Sequence, residues 1–280
     1  MNAIIKKIII VAFLLPVMVV ISYAADAPEV DKSMSSSQID QYLLFGGLPQ
    51  VVTSHMPGEE LHAYVSTYLQ EEIQAESLVR KVASFSRFLS VAALTNGQIL
   101  NFAKISSDTQ IPASTVREYY RILEDTLIGF SVPVWKKSIK RKSTSTAKFY
   151  FFDVGVRNAI LGIEHIDRQT DMYGQAFEHF IAMELRAFIA YSRKRAALSF
   201  WQTATHKEVD FLIGDEIAIE VKSSDMIQKK HLKNLQLLME ESICKRYFCV
   251  CFDYNHRIEN GIEIMHWQLF LEQLWQGHVI

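Results

Sequence analysis

Three polar residues stand where an apolar sheet has no use for them: Asp210 in Val209-Asp210-Phe211, and Glu220 and Lys222 in Ile219-Glu220-Val221-Lys222. Successive residues of a strand face opposite ways, so Ala218, Glu220 and Lys222 share one face and Ile217, Ile219 and Val221 the other. On the preceding strand Val209, Phe211 and Ile213 are the apolar face, which leaves Asp210 with the polar one. A three-residue turn, Gly214-Asp215-Glu216, sets Asp210 opposite Glu220. A two-residue turn would send the carboxylates to different faces. Opposed carboxylates repel, and a divalent cation between them removes that cost. An all-oxygen ligand set favours Mg²⁺ or Mn²⁺ over zinc. Lys222 is then placed to stabilise charge on a phosphate or to orient an attacking water. Asp210, Glu220 and Lys222 are thus the candidates for metal-assisted attack of water on a phosphate. The competing reading of Glu220 and Lys222 is an ion pair along a strand.

The elements that must hold these residues follow from periodicity. A helix is expected over 174–191, strands over 198–202, 208–213 and 217–223, a helix over 228–240 and a strand over 246–252. This αβββαβ order makes residues 156–280 a small α/β domain. Cys249 and Cys251 fall on one face of the last strand and read as small core side chains. No Cys–His spacing suggests zinc, and three cysteines are too few for a disulfide framework.

Upstream, residues 39–155 read as a helical region. Leu61, Tyr64, Val65, Tyr68, Leu69 and Ile73 repeat at helical spacing over 60–75, and Phe85, Phe88, Leu89, Ala92 and Ala93 do so one helix later. A small helix over 99–105, a turn at Ser106-Ser107-Asp108 and a helix from Ile111 to about Leu127 make a helix-turn-helix pattern. The apolar stripe of that last helix is Val116, Tyr119, Tyr120, Leu123 and Leu127. Ser114, Thr115 and Arg117 would lie at its exposed, groove-entering end. Strands over 130–134 and 148–152 follow, and between them stand Lys136, Lys137, Lys140, Arg141, Lys142 and Lys148 with no acid. Such a run suits the wing of a winged helix meeting DNA phosphates. A solvated hairpin tip and a protein-docking winged helix are the alternatives.

The chain has 280 residues, 49% of them hydrophobic and 21% charged, values that exclude a disordered chain or a collagen. Lys+Arg 29 against Asp+Glu 31 gives −2, so any DNA-binding charge must be local. Lys6 and Lys7 precede an uncharged run over 8–25 that ends in Ser22-Tyr23-Ala24-Ala25, with Pro16 inside it. A cleaved signal peptide over 1–25 is the first reading, and an uncleaved membrane anchor through 8–25 the second. Residues 26–38 read as a Ser-rich linker.

Asp210, Glu220-Val221-Lys222 and an upstream helical Glu178 together resemble the PD-(D/E)XK nuclease superfamily. From about Ile39 onward the chain resembles, more closely, the domain of unknown function that closes many archaeal-type AAA+ ATPases. The residues that carry this are Tyr42, Gly46-Gly47-Leu48-Pro49, Tyr150-Phe151-Phe152-Asp153-Val154-Gly155, Gly174-Gln175-Ala176-Phe177-Glu178, Glu208-Val209-Asp210-Phe211 and Ile219-Glu220-Val221-Lys222-Ser223. The resemblance implies a mixed α/β (α+β) chain: a winged helix followed by a restriction-endonuclease-like domain. It also implies that Glu178, Asp210 and Glu220 hold a metal and that Lys222 is catalytic. Such ATPases carry a G-x-x-x-x-G-K-[ST] loop, which this sequence lacks, so no ATP binding is expected. The expected function is a DNA-binding, nuclease-like protein. The alternative is an idle DNA- or protein-docking module, a truncated remnant of such an ATPase. The leader argues for export or a membrane, and the resemblance for the cytoplasm.

Overall fold

A computed structural model describes residues 36–69, 82–136 and 147–280. The leader, most of the linker, and Lys137, Lys140, Arg141 and Lys142 of the basic loop lie outside the described residues. Packing divides the described chain into two compact units, 36–131 with 147–166, and 132–136 with 167–280. No described helix is long and apolar enough to cross a membrane.

The first unit opens with helices α1 (Ser36–Phe45), α2 (Pro49–Thr53) and α3 (Pro57–Ala63), the last continued by a π-helical turn, Tyr64–Leu69. Ser36, Ser37 and Gln38, expected as linker, are the first turn of α1. Then come α4 (Val82–Leu94), α5 (Phe102–Thr109), α6 (Ala113–Asp125), a hairpin of β1 (Gly129–Pro133) and β2 (Ala147–Phe151), and α7 (Val154–Ile160). The apolar stripes read from sequence do form this core: Phe85, Phe88, Leu89, Ala92 and Ala93 of α4 cluster with Val116, Tyr119, Tyr120 and Leu123 of α6. Edge-on ring pairs, such as Phe88 with Tyr120 at 4.9 Å, fix the angle of the packing.

Several boundaries differ from the sequence reading, each for a local reason. Past a turn at Gly97 (φ 75) the chain runs beside β2 and is not helical: Ile99 bridges Lys148, and Gly97 and Leu100 donate backbone N–H groups to the Phe149 and Ala147 carbonyls. The first small helix therefore starts after Asn101, whose side chain accepts from the Lys104 N–H at 3.0 Å. Ser106, Ser107 and Asp108 are helical rather than the turn, which falls at left-handed Gln110 (φ 56) before Pro112. Leu127, assigned to the apolar stripe, lies past the end of α6 with positive φ and is 41% exposed. Lys148 is 2% exposed within β2 and is no part of a charged loop.

The second unit is a six-stranded mixed sheet. Helix α8 (Asp171–Tyr191) leads into β3 (Leu198–Gln202), β4 (Glu208–Ile213) and β5 (Ile217–Lys222). A 3₁₀ turn (Lys229–Leu232) and α9 (Lys233–Glu240) replace the single expected helix, and β6 (Arg246–Cys251) follows. Three further elements were not foreseen: β7 (Arg257–Glu259), β8 (Ile262–His266) and α10 (Trp267–Trp275). The sheet order is β3-β4-β5-β6-β8-β7, with β5, β6 and β8 parallel to one another and the other pairings antiparallel. Ala218, Tyr247, Cys249 and Cys251 pack with Leu232, Leu235 and Leu238 on one face. The cysteines are free and buried, as their spacing predicted.

Candidate active site

The turn Gly214-Asp215-Glu216 has the length on which the geometry depends. Phe211 pairs with Ile219, Leu212 with Ala218 and Ile213 with Ile217. Continued one step, this register would set Asp210 opposite Glu220. There the chains depart from a regular ladder, and the Val221 N–H donates to Asp210 Oδ2 at 2.8 Å. Asp210 is thus held by backbone and 8% exposed. Val209 does not stay on the face of Phe211 as alternation predicts. It packs with Leu212 and Ala218, because the β3–β4 register slips between Ser199 and Trp201.

Glu220 lies deeper, 2% exposed, flanked in register by Cys249 on β6. Lys222 reaches back along the strand and places its Nζ 2.7 Å from Glu220 Oε1. The second oxygen, Oε2, is buried without a hydrogen-bond partner. Burial first, and then the Asp210 charge, push Glu220 up from 4.5 to about 8, against the pull of Lys222. Burial pulls the Lys222 ammonium down, but Asp210, Glu220 and Glu178 outweigh it and hold Lys222 above the ordinary lysine range.

Glu178 arrives from α8. Gly174, one turn before it, lets that helix approach β5: a Cβ there would sit 3.2 Å from Ser223 Oγ. Residues four apart share a helix face, so Glu178 follows Gly174 toward the same strand end. Its charge raises both Glu220 and Lys222. The structure therefore brings Glu178, Asp210, Glu220 and Lys222 into one electrostatic cluster. His179, beside Glu178, is fully buried instead.

By donor type this cluster fits a hard divalent cation, with three carboxylates and one buried oxygen left unsatisfied. The countercharge is supplied by Lys222, and among the described residues no group of three or more His, Cys, Asp or Glu side chains is arranged so that it could hold a metal ion.

The residues expected to meet DNA are placed less completely. Ser114 and Arg117 are exposed and Thr115 half-buried in the first turns of α6, with the Arg117 guanidinium 4.6 Å over the Phe102 ring. Lys136 is exposed. A second group of cations, Lys229, Lys230 and Lys233 with His231, was overlooked in the sequence, although no acid stands between Met226 and Met239.

The residues that carried the resemblance in the first unit form a joint. The Gly47 N–H donates to Asp153 Oδ2 at 2.8 Å and the Val156 N–H to Oδ1 at 2.9 Å. Burial pushes the Asp153 carboxyl up, against donors from Gly47, Val156 and Gly155. A Cβ at Gly46 (φ +74) would strike Asp153, and one at Gly155 would strike the Phe45 carbonyl. Asn158 then caps α1 by donating to the Leu43 and Leu44 carbonyls at 2.9 Å.

Comparison with known proteins divides the chain in a similar way. Residues 36–167 match a domain of unknown function, DUF8612, and residues 173–270 match another, DUF4143. Two relatives are the uncharacterized protein Mb2031c of Mycobacterium bovis and the uncharacterized protein Rv2008c of Mycobacterium tuberculosis. Each is 24% identical over 200 residues, covering 68% of this chain and 44% of the relative. The chain thus spans less than half the length of the curated relatives it matches. No solved structure gives a significant match.

Proposed function

We propose that the second unit is a divalent-metal-dependent phosphodiesterase acting on DNA, with Glu178, Asp210 and Glu220 as ligands and Lys222 as the catalytic cation. The observation that carries this is Glu220 Oε2, a buried carboxylate oxygen with no partner beside two further carboxylates and a lysine. A buried unsatisfied oxygen costs about 1–3 kcal/mol, more when charged, and a hard cation removes that cost. When bound, Mg²⁺ or Mn²⁺ would supply Lewis acidity and a more acidic water. The chain's own residues do the rest. Asp210, fixed by the Val221 N–H, would be one ligand. Lys222, 32% exposed, can turn its ammonium from Glu220 toward a phosphate oxygen. The apolar face around Cys249 keeps bulk water away from Glu220.

A winged-helix reading of the first unit accompanies this one. Its support is the order α4, the Ile99 bridge, α5, α6, β1 and β2, with Ser114, Thr115 and Arg117 on the second helix of the pair. Lys136, Lys137, Lys140, Arg141 and Lys142 would supply the wing's positive charge. Both matched families are described only as domains of unknown function. The association with AAA+ ATPases adds the expectation that such a unit serves a larger assembly, without binding ATP itself.

One observation favours a second reading, an idle docking module. Lys222 already neutralises Glu220 at 2.7 Å, as a structural ion pair would. Cleavage of duplex and single-stranded DNA by the full chain with Mg²⁺ or Mn²⁺ separates the two. Metal-dependent cutting, reduced about a hundredfold or more in Asp210→Ala and Lys222→Met, is expected. Binding without cutting would sink the hydrolytic reading and leave the docking module.

A further inference from the structure

The segment between β5 and α9 presents cations in a manner that the fold does not explain. Ile227 and Leu232 are buried and pin its two ends. The Ile227 N–H donates to Asp253 Oδ2 at 3.2 Å, and the Gln228 N–H to His231 Nδ1 at 3.2 Å. With those anchors set, Lys229, Lys230 and Lys233 can only point outward, and all three are exposed. Several other cations of this unit hold carboxylates: Lys245 pairs with Glu216, Arg246 with Glu263, and Arg257 with Asp253 and Glu259. Among the described residues no carboxylate pairs with Lys229, Lys230 or Lys233. Adjacent like charges repel only weakly in water, but their summed field attracts an anion from outside.

Its location gives that anion a chemistry. Lys222 and Lys230 both act on His231, which burial and these two charges hold below the ordinary histidine range. Lys222 ends β5 in register with Cys251, and the anchors that follow, the Phe252 N–H to the Ser224 carbonyl at 3.0 Å and the Ile227 N–H to Asp253 at 3.2 Å, keep the segment at that same strand end. A polymer whose phosphates recur every few ångströms can lay one on Lys222 while its neighbours meet the ledge.

We propose that Lys229, Lys230 and Lys233, with His231 beside them, form a phosphate-backbone docking ledge that seats DNA against the carboxylate cluster from within the second unit. This rests on the phosphodiesterase reading for the identity of its ligand. The contacts are to phosphates, so the ledge confers affinity and register without base preference.

The test uses the full chain, a labelled short DNA duplex and fluorescence anisotropy over a salt series. It compares wild type, the triple variant Lys229→Gln/Lys230→Gln/Lys233→Gln and its charge-keeping counterpart with Arg at the same positions. The Gln variant should bind about tenfold or more weakly, and its slope of log K against log salt should flatten by about 2 to 3. The Arg variant should follow wild type, and circular dichroism should report unchanged folding. Equal affinity and salt slope in wild type and Gln variant overturn the ledge, whether or not the wild type cuts DNA. Weakening in the Gln variant without any wild-type cleavage in Mn²⁺ supports the ledge and removes the hydrolytic reading. A wild type that does not bind DNA overturns both. Loss confined to a matched RNA probe overturns the assignment to DNA.

Discussion

Asp153 of the first unit and Glu220 of the second are both buried where separated segments meet, and the two are treated in opposite ways. Asp153 of the first unit is 6% exposed and accepts backbone N–H groups on both oxygens. Glu220 of the second is 2% exposed and has one oxygen against Lys222 and the other against nothing. A saturated carboxylate of the first kind spends its hydrogen-bonding capacity on the chain itself and works as a lock. One of the second kind keeps capacity in reserve for a ligand, at the expense of stability. The contrast separates a structural acid from a candidate functional one without reference to any motif.

The contrast can be broken most forcefully at Asp153. Asp153→Ala leaves the Gly47 and Val156 N–H groups buried without acceptors and should cost about 3 kcal/mol or more in urea unfolding. If stability holds, Asp153 is no lock. Gly46→Ala strikes the same carboxylate from a backbone at φ +74, with an expected loss of about 2 kcal/mol.

Glu220→Gln should behave in the reverse sense. The folded state raises Glu220 from 4.5 to about 8, so it holds the proton more tightly than the unfolded chain does. The stability this contributes is full below about pH 4.5 and lost as pH rises through about 8. In chelator, wild type should therefore lose stability across that interval, while Glu220→Gln shows a flatter profile and gains about 1 kcal/mol at pH 9. Saturating Mn²⁺ should restore part of the wild-type loss and do nothing for the variant. An identical pH profile for the two proteins would place Glu220 among ordinary surface pairs. The smallest effect is expected at Arg117→Ala, which removes an exposed cation stacked on Phe102 and should cost about 0.5 kcal/mol. A loss comparable to that at Asp153 would mean that α6 depends on this contact far more than its exposure suggests.

Much of the second unit was legible because its signals are local. Alternation and a turn of three residues set the β4–β5 register, which pairs Phe211 with Ile219 next to Asp210 and Glu220. Val209 escaped the same rule because β4 carries an extra residue there: it spans Leu212 to Val209 while β3 spans only Ser199 to Trp201. The β7–β8 hairpin was missed despite a usable signal. Asn260 and Gly261 both take positive φ, as a tight hairpin turn requires. The helix α10 follows β8 without a breaker, since His266 itself acts as the N-cap through its ring nitrogen. In the first unit the helical stripes were visible, but the turn before α6 was misplaced. Nothing local shows that Ile99 and Leu100 are tied to β2, about fifty residues away.

By itself the sequence determined the alternation, the turn length and hence which acids share a strand face, because backbone geometry repeats over two to four residues. It also carried the order of elements and the free, buried cysteines. Only the tertiary structure decided that Gly46-Gly47 closes on Asp153, that Gly174 brings Glu178 to the end of β5, and that one oxygen of Glu220 goes unpaired. Those facts depend on which donors arrive from distant segments, and the satisfaction of a buried polar atom is a property of the whole surrounding shell.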